Sequence, residues 1–308
     1  IDREVGDDNT NAHPSFVGHK IQEAFFHNNR LGFLSNDNVS MSQAAKYFNF
    51  YHTSAQIITD ADPIDLSAST IRPANLHAII PTTQGLVLFS KNQQFLLASA
   101  DGVLTPASTT IRTISNYEVD ILVDPVDMGT NINFLSKTPS YTRVFGMITR
   151  GQDENPQVLD VGRVVNEWIP QTIDTLIASP QNQFIGMSSQ SSRDIYFFRT
   201  YHDGKVTLVE SWFNSIVCGT VQAIASDSDE FYVVTKQDNA YILCRHEYIT
   251  DATSARTYVV GGAAADVGSP LKTARWFEAC LDNMTIPTAI TYTAQGGSVT
   301  GPDFTDLT

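Results

Sequence analysis

Four stretches of this 308-residue chain bring together side-chain types that could do chemistry. Asp60, Asp62 and Asp65 put three carboxylates within six positions, and hard oxygen ligands at such spacing suit calcium. The glycine and the later bidentate glutamate of a calcium loop are missing, and a proline turn at Pro63 leading into a strand over Ile64 to Ser67 accounts for the same residues. His13, His19 and His27 form the one histidine cluster among seven histidines. Their spacing matches neither a helical ligand pair nor a zinc motif, so they read as solvated or turn residues. Asp227, Asp229 and Glu230 lie between two β-favouring runs and read as a hairpin turn. The small-residue stretch Val260 to Ala265 invites a phosphate-loop reading. It lacks a preceding buried strand, a following helix and a Lys-Ser/Thr pair, and reads as a loop.

Other sites leave no trace. There is no Gly-x-Ser-x-Gly elbow, and serine, histidine and aspartate combinations arise by chance in a chain this rich in serine. Carboxylate pairs for glycoside cleavage meet only in the fold and leave no spacing to recognise. No catalytic, cofactor-binding or metal-ligating residue is therefore assigned and no cofactor is implied. The three cysteines, Cys218, Cys244 and Cys280, are odd in number and far apart, which predicts reduced, buried thiols and argues against a disulfide scaffold. The formal charge of −14 and the lack of any basic run oppose nucleic-acid binding by phosphate neutralisation. The same charge suits a surface past which DNA slides without sticking. No apolar stretch approaches a membrane span, and no signal peptide is visible. A first residue of Ile1 suggests a fragment or a processed product.

The elements that would position any site announce themselves by repetition. Leu86-Val87-Leu88-Phe89-Ser90 has counterparts starting at Leu31, Ile132, Phe184 and Phe231, each an apolar run ending on a small hydroxyl residue, and the starts are 55, 46, 52 and 47 residues apart. That period is near one propeller blade and far from helical repeats. A polar turn follows each run, and then a second apolar run: Val39, Phe95, Val144, Ile195 and Tyr241 begin or open these partners. Turn residues between β-favouring runs are the hairpin signal. Several central strands are apolar on consecutive residues, so both of their faces should be covered, as in stacked blades. A β-sandwich with irregular hairpins is the alternative.

The expected fold class is thus all-β: a β-propeller of four-stranded blades, with the start of a further β domain at the C-terminus. The expected organisation is a connector over residues 1–15, a propeller over 16–281 and an incomplete second β domain over 282–308. Five blades are recognisable, at about 21–70, 76–115, 126–165, 173–213 and 221–250, and Thr257 to Leu281 or absent chain would have to close the ring. Order should begin near Phe16. A capping box at Ser40 and Gln43 predicts at most a short helical turn over Gln43 to Tyr47. Arg30 and Phe33 are placed in the core of the first blade.

An ordered set of phrases also carries a family resemblance. Phe16-Val17-Gly18, Phe25-Phe26, Asn29 to Leu34, Asn38 to Ser42, Tyr47 to Phe50, Asp62 to Asp65, Leu86 to Ser90 with Gln94-Phe95, and Ile169-Pro170 resemble the tail tubular protein B, or nozzle protein, family of short-tailed bacteriophages. The resemblance covers roughly Phe16 to Cys280. It implies a longer parent protein and a ring of six subunits around the channel through which the genome leaves. It also implies docking surfaces for the tail adaptor and tail fibres, internal loops that close the channel, a place in the virion tail, and no catalytic residues. Lumen-lining and gate residues are not marked by any motif. Two other classes stay open beside this structural role: a propeller or tail-tip module binding a host-surface glycan, and a propeller hydrolase with convergent carboxylates at its mouth.

Overall fold

The structure is a computed structural model that describes residues 3–68, 74–99, 102–148, 155–165, 167–190, 192–202, 207–217, 219–227, 230–237 and 240–247, and the backbone of 257–260, 263–266, 291–294 and 297–300. The chain divides into two compact units. The first comprises Ile1–Pro139 and Arg143–Asn166, the second Ser140–Thr142 and Glu167–Thr308.

The first unit holds three antiparallel four-stranded meanders. The opening sheet is β1 (Glu23–His27), β2 (Arg30–Ser35), β3 (Asn38–Met41) and β4 (Ile64–Ser67), hydrogen-bonded in that order. Asn28 and Asn29 join β1 to β2 with φ of 47° and 59°. Asparagine tolerates this left-handed backbone, which is the geometry that matches strand twist in two-residue hairpins. The second sheet is β5 (Leu76–Thr82), β6 (Gly85–Ser90), β7 (Gln94–Ser99) and β8 (Thr109–Ser115), and the third is β9 (Val126–Asp127), β10 (Ile132–Lys137), β11 (Thr142–Ile148) and β12 (Gln157–Asp160), again in sequence order.

The strand β6 shows why its residues are apolar without alternation. Leu86 and Leu88 point into a cluster with Leu34, Val39, Met41 and Ile64 of the first sheet. Val87 and Phe89 point the other way, into a cluster with Ile132, Phe134, Phe145 and Met147 of the third. All four residues are at most 1% exposed. A middle sheet has no solvent face, so the period-2 signal of a half-buried strand disappears.

The second unit contains β13 (Thr175–Ser179), β14 (Phe184–Ser188), β15 (Asp194–His202) and β16 (Thr207–Ile216) in one meander, and β17 (Thr220–Asp227), β18 (Glu230–Gln237) and β19 (Ala240–Glu247) in a three-stranded sheet. Phe184, Ile195 and Phe197 meet Val221, Ile224, Phe231 and Val233 between the two. Two hairpins follow, β20 (Thr257–Val260) with β21 (Ala263–Asp266) and β22 (Thr291–Ala294) with β23 (Gly297–Thr300). The fold class is all-β and propeller-like, with four four-stranded antiparallel sheets and one three-stranded sheet among the described residues. No helix among the described residues is long and apolar enough to cross a membrane.

Local expectations differ from the structure in two places. Gln43 to Tyr47 forms no helical turn: Gln43 and Lys46 make an isolated bridge, and the Gln43 side-chain oxygen accepts from Asn49 Nδ2 at 2.8 Å instead of capping. The 3-10 helix is elsewhere, at Val161–Val165. Val260 and Ala263 pair across a hairpin, so the stretch read as a loop carries the ends of two strands, and Gly261 and Gly262 lie outside the described residues. Cys244 is a buried thiol outside any disulfide, and Cys218 and Cys280 fall outside the described residues.

Candidate functional site

The densest polar construction in the first unit is at the outer end of the first sheet. Arg30 begins β2 and is 2% exposed. Its Nη1 donates to the carbonyls of Ser42 and Asp62, both at 2.7 Å, and of Ala61 at 3.3 Å; its Nη2 donates to the Asp60 carbonyl at 2.8 Å. A planar, permanently charged fork suits such a fan of carbonyls, and it pins the long connection between β3 and β4 onto the sheet.

The three clustered carboxylates have separate partners. Asp62 is fully buried and accepts from the Thr59 backbone at 2.7 Å and the Thr53 hydroxyl at 3.0 Å, and these bonds hold its carboxyl below the usual range despite burial. Asp65 Oδ2 accepts from the Ser15 backbone at 2.7 Å, and its Oδ1 accepts from the hydroxyls of Ser15 at 2.6 Å and Ser40 at 3.1 Å. Asp60 is exposed and offers Arg30 only its carbonyl. The calcium reading of this stretch therefore gives way to the proline-turn reading. Pro63 is followed directly by β4, and no group of three His, Cys, Asp or Glu side chains converges among the described residues.

The residues before Phe16, read from their polarity as a connector, are tied to this corner. Asn11 is 1% exposed, donates to the carbonyls of Val5 and His52 and accepts from the His52 backbone. Between this segment, β4 and the β7–β8 connection lies a cleft of about 260 Å³. Its apolar wall includes Pro14, Phe50, Pro63, Leu66 and Pro106, and its polar residues are Asn11, His13, His52 and Asp65. Phe50 is held by a stack on Phe33 at 5.4 Å and an edge contact with Phe16 at 5.0 Å. Phe33 is thus in a half-buried aromatic cluster at the sheet's side, not in the core where it was placed.

A second feature lies on the first strands of the sheets. Glu23 opens β1, accepts a hydrogen bond from the Ile79 backbone in β5, and feels the charge of Asp124 just ahead of β9. Burial first and Asp124 second push its carboxyl up to about 7. Neither Glu23 nor Asp124 stood out in the sequence, because their approach depends on sheet stacking.

The histidines stay apart in role. His13 Nδ1 is 2.8 Å from the Tyr51 hydroxyl, His19 is exposed, and His27 ends β1 opposite Arg30. Asp227 and Glu230 pair across the β17–β18 hairpin, and Glu230 accepts from the Tyr232 hydroxyl and meets Arg245 at 3.2 Å. Asp229 lies outside the described residues.

The family model described as "Bacteriophage nozzle protein" matches residues 1–266. The chain belongs to the bacteriophage nozzle protein family. This nozzle-family chain is also 31% identical over 256 residues to tail tubular protein gp12 of Escherichia phage T7, a match covering 81% of the chain and 32% of the relative, so it spans about a third of that protein's length. The family and this relative place the nozzle chain in the virion tail. Among solved structures it is similar to Hsv2p of Kluyveromyces lactis, with a TM-score of 0.46 at 11% identity over 75% of this chain and 63% of the other. It is similar also to the Pan2 WD40 domain of Neurospora crassa, with a TM-score of 0.40 at 8% identity over 77% and 65%.

Proposed function

We propose that this nozzle-family chain forms part of the distal wall of the tail channel, holding the genome before infection and passing it during ejection. Its family membership across residues 1–266 carries that reading. Six copies would form a closed ring through one repeated head-to-tail surface, with the tail adaptor above and tail fibres docked around it. The whole is non-enzymatic in this reading, and the relative named above is a tail tubular protein. Two physical features support it. A formal charge of −14 gives DNA no adhesive wall, so a duplex could move without the phosphate contacts that would arrest it. The second sheet, covered on both faces by apolar clusters, resists deformation because close-packed cores have low compressibility.

Antibodies raised against this chain and viewed on whole virions by immunogold electron microscopy test the placement. Label on the short tail below the capsid is the expected result. Label confined to fibre tips would replace the channel reading by receptor binding.

A further inference from the structure

The cleft beside Asp65 has the chemistry of a receptor for a cationic side chain. Three donors fix the Asp65 carboxylate: the Ser15 backbone and the hydroxyls of Ser15 and Ser40. All three are neutral, so they orient the carboxylate and leave its charge in place. Among the described residues no lysine, arginine or histidine forms an ion pair with it; the neighbouring Asp8, by contrast, is paired with Arg3 at 2.6 Å. The walls above are the apolar faces of Phe50, Pro63, Leu66, Pro14 and Pro106. An oriented carboxylate without an ion-pair partner, in a cleft with apolar walls and the polar groups of His13, His52 and Asn11, matches a group with a methylene stem and a charged head. The volume of about 260 Å³ accommodates one such side chain.

We infer that this cleft docks an arginine or lysine side chain presented by an extended segment of a partner protein, its charged head on Asp65 and its methylenes along Phe50, Pro63 and Leu66. Charge complementarity selects this occupant. With 33 acidic against 19 basic residues the chain is poor in cations of its own, and a basic partner segment gains attraction to the whole surface as well as to the one carboxylate. Arginine fits better than lysine, because its planar fork pairs with a carboxylate in a fixed geometry. Docking of this kind needs no channel, so it stands or falls separately from the ejection reading.

The test uses the full chain titrated with an acetylated, amidated Ala-Arg-Ala peptide, its citrulline analogue and a panel of neutral pyranoses, followed by amide chemical shifts. The arginine peptide is expected to bind at about millimolar strength and to shift residues 11–15, 50–52 and 63–66, with affinity falling as salt rises. Citrulline should weaken it about tenfold, and so should Asp65→Asn. Since Asp65 also anchors Ser15, a second variant separates binding from folding. Ala12→Trp lies on the exposed rim, fills the mouth and leaves the carboxylate untouched. It too should abolish the shifts while the circular dichroism spectrum is retained. Equal binding of the citrulline peptide, retention of binding in folded Ala12→Trp, binding of a pyranose instead, or no binding up to about 10 mM would each overturn the assignment.

Discussion

Arg30 and Asp62 are joined through the backbone and not by a direct ion pair: the Arg30 guanidinium donates to the Asp62 carbonyl at 2.7 Å, while the Asp62 carboxylate accepts from Thr53 and Thr59. The guanidinium closes the β3–β4 connection and the carboxylate organises its interior. Removing Arg30 leaves the carbonyls of buried Ser42 and Asp62 without this donor.

Arg30→Ala is therefore expected to destabilise the first unit by about 3 kcal/mol, since the loss removes the donor of the carbonyls of two buried residues, Ser42 and Asp62. Arg30→Lys should recover little, because one ammonium cannot span carbonyls from Ser42 to Asp60. Urea unfolding of the two variants measures this; midpoints equal to wild type would show that the connection is held by other contacts.

Glu23 predicts a pH dependence. Its carboxyl is near 7 in the folded chain, against an ordinary value of 4.5. A carboxyl raised on folding binds its proton more tightly in the native state, so its contribution is full below about 4.5 and is lost as pH rises from there to about 7. Because Glu23 is only half-buried, solvent screening leaves on the order of 1 kcal/mol of the loss. Glu23→Gln should flatten the thermal stability profile across that window. A profile that keeps its wild-type slope would show that Asp124 and burial do not act on this group as described.

Phe89 and Phe134 approach across the second and third sheets with ring centroids 5.6 Å apart. Each alanine substitution should cost about 3 to 5 kcal/mol. In a double-mutant cycle the pair should couple by about 1 kcal/mol, the size expected of an aromatic contact. Strict additivity would mean that each ring is held by its own sheet alone.

Much of this fold was legible, and the pattern of what was not is physical. Leu86 to Ser90 disclosed a strand covered on both faces because every residue from Leu86 to Phe89 has an apolar destination. Pro63 disclosed the start of β4. The Arg30 fan was hidden because carbonyls carry no sequence signature, and its acceptors stand 12 to 32 residues away. The cleft was hidden by composition: residues 11–15 look like linker, and only the contacts of Asn11 with His52 and of Ser15 with Asp65 show that they belong to the first sheet's corner. The capping pattern at Ser40 misled because Ser40 is committed to β3 and Asp65, and ladder bonds outweigh a local cap.

A channel wall that does not hold DNA makes a further demand. At about 0.15 M salt the chain should retain no duplex DNA on a filter, and lowering the salt should not produce binding, because there is no cluster of phosphate contacts to strengthen. Retention that falls steeply with salt would reveal a basic surface inconsistent with free passage.

The central claim, that copies of this chain surround the path of the genome, is tested most directly by electron cryomicroscopy of the tails of DNA-filled virions. The account predicts a ring of density at the distal tail into which the stacked sheets fit, encircling an axial channel in sixfold arrangement. Density for these sheets found only at the periphery, away from the axis, would contradict it.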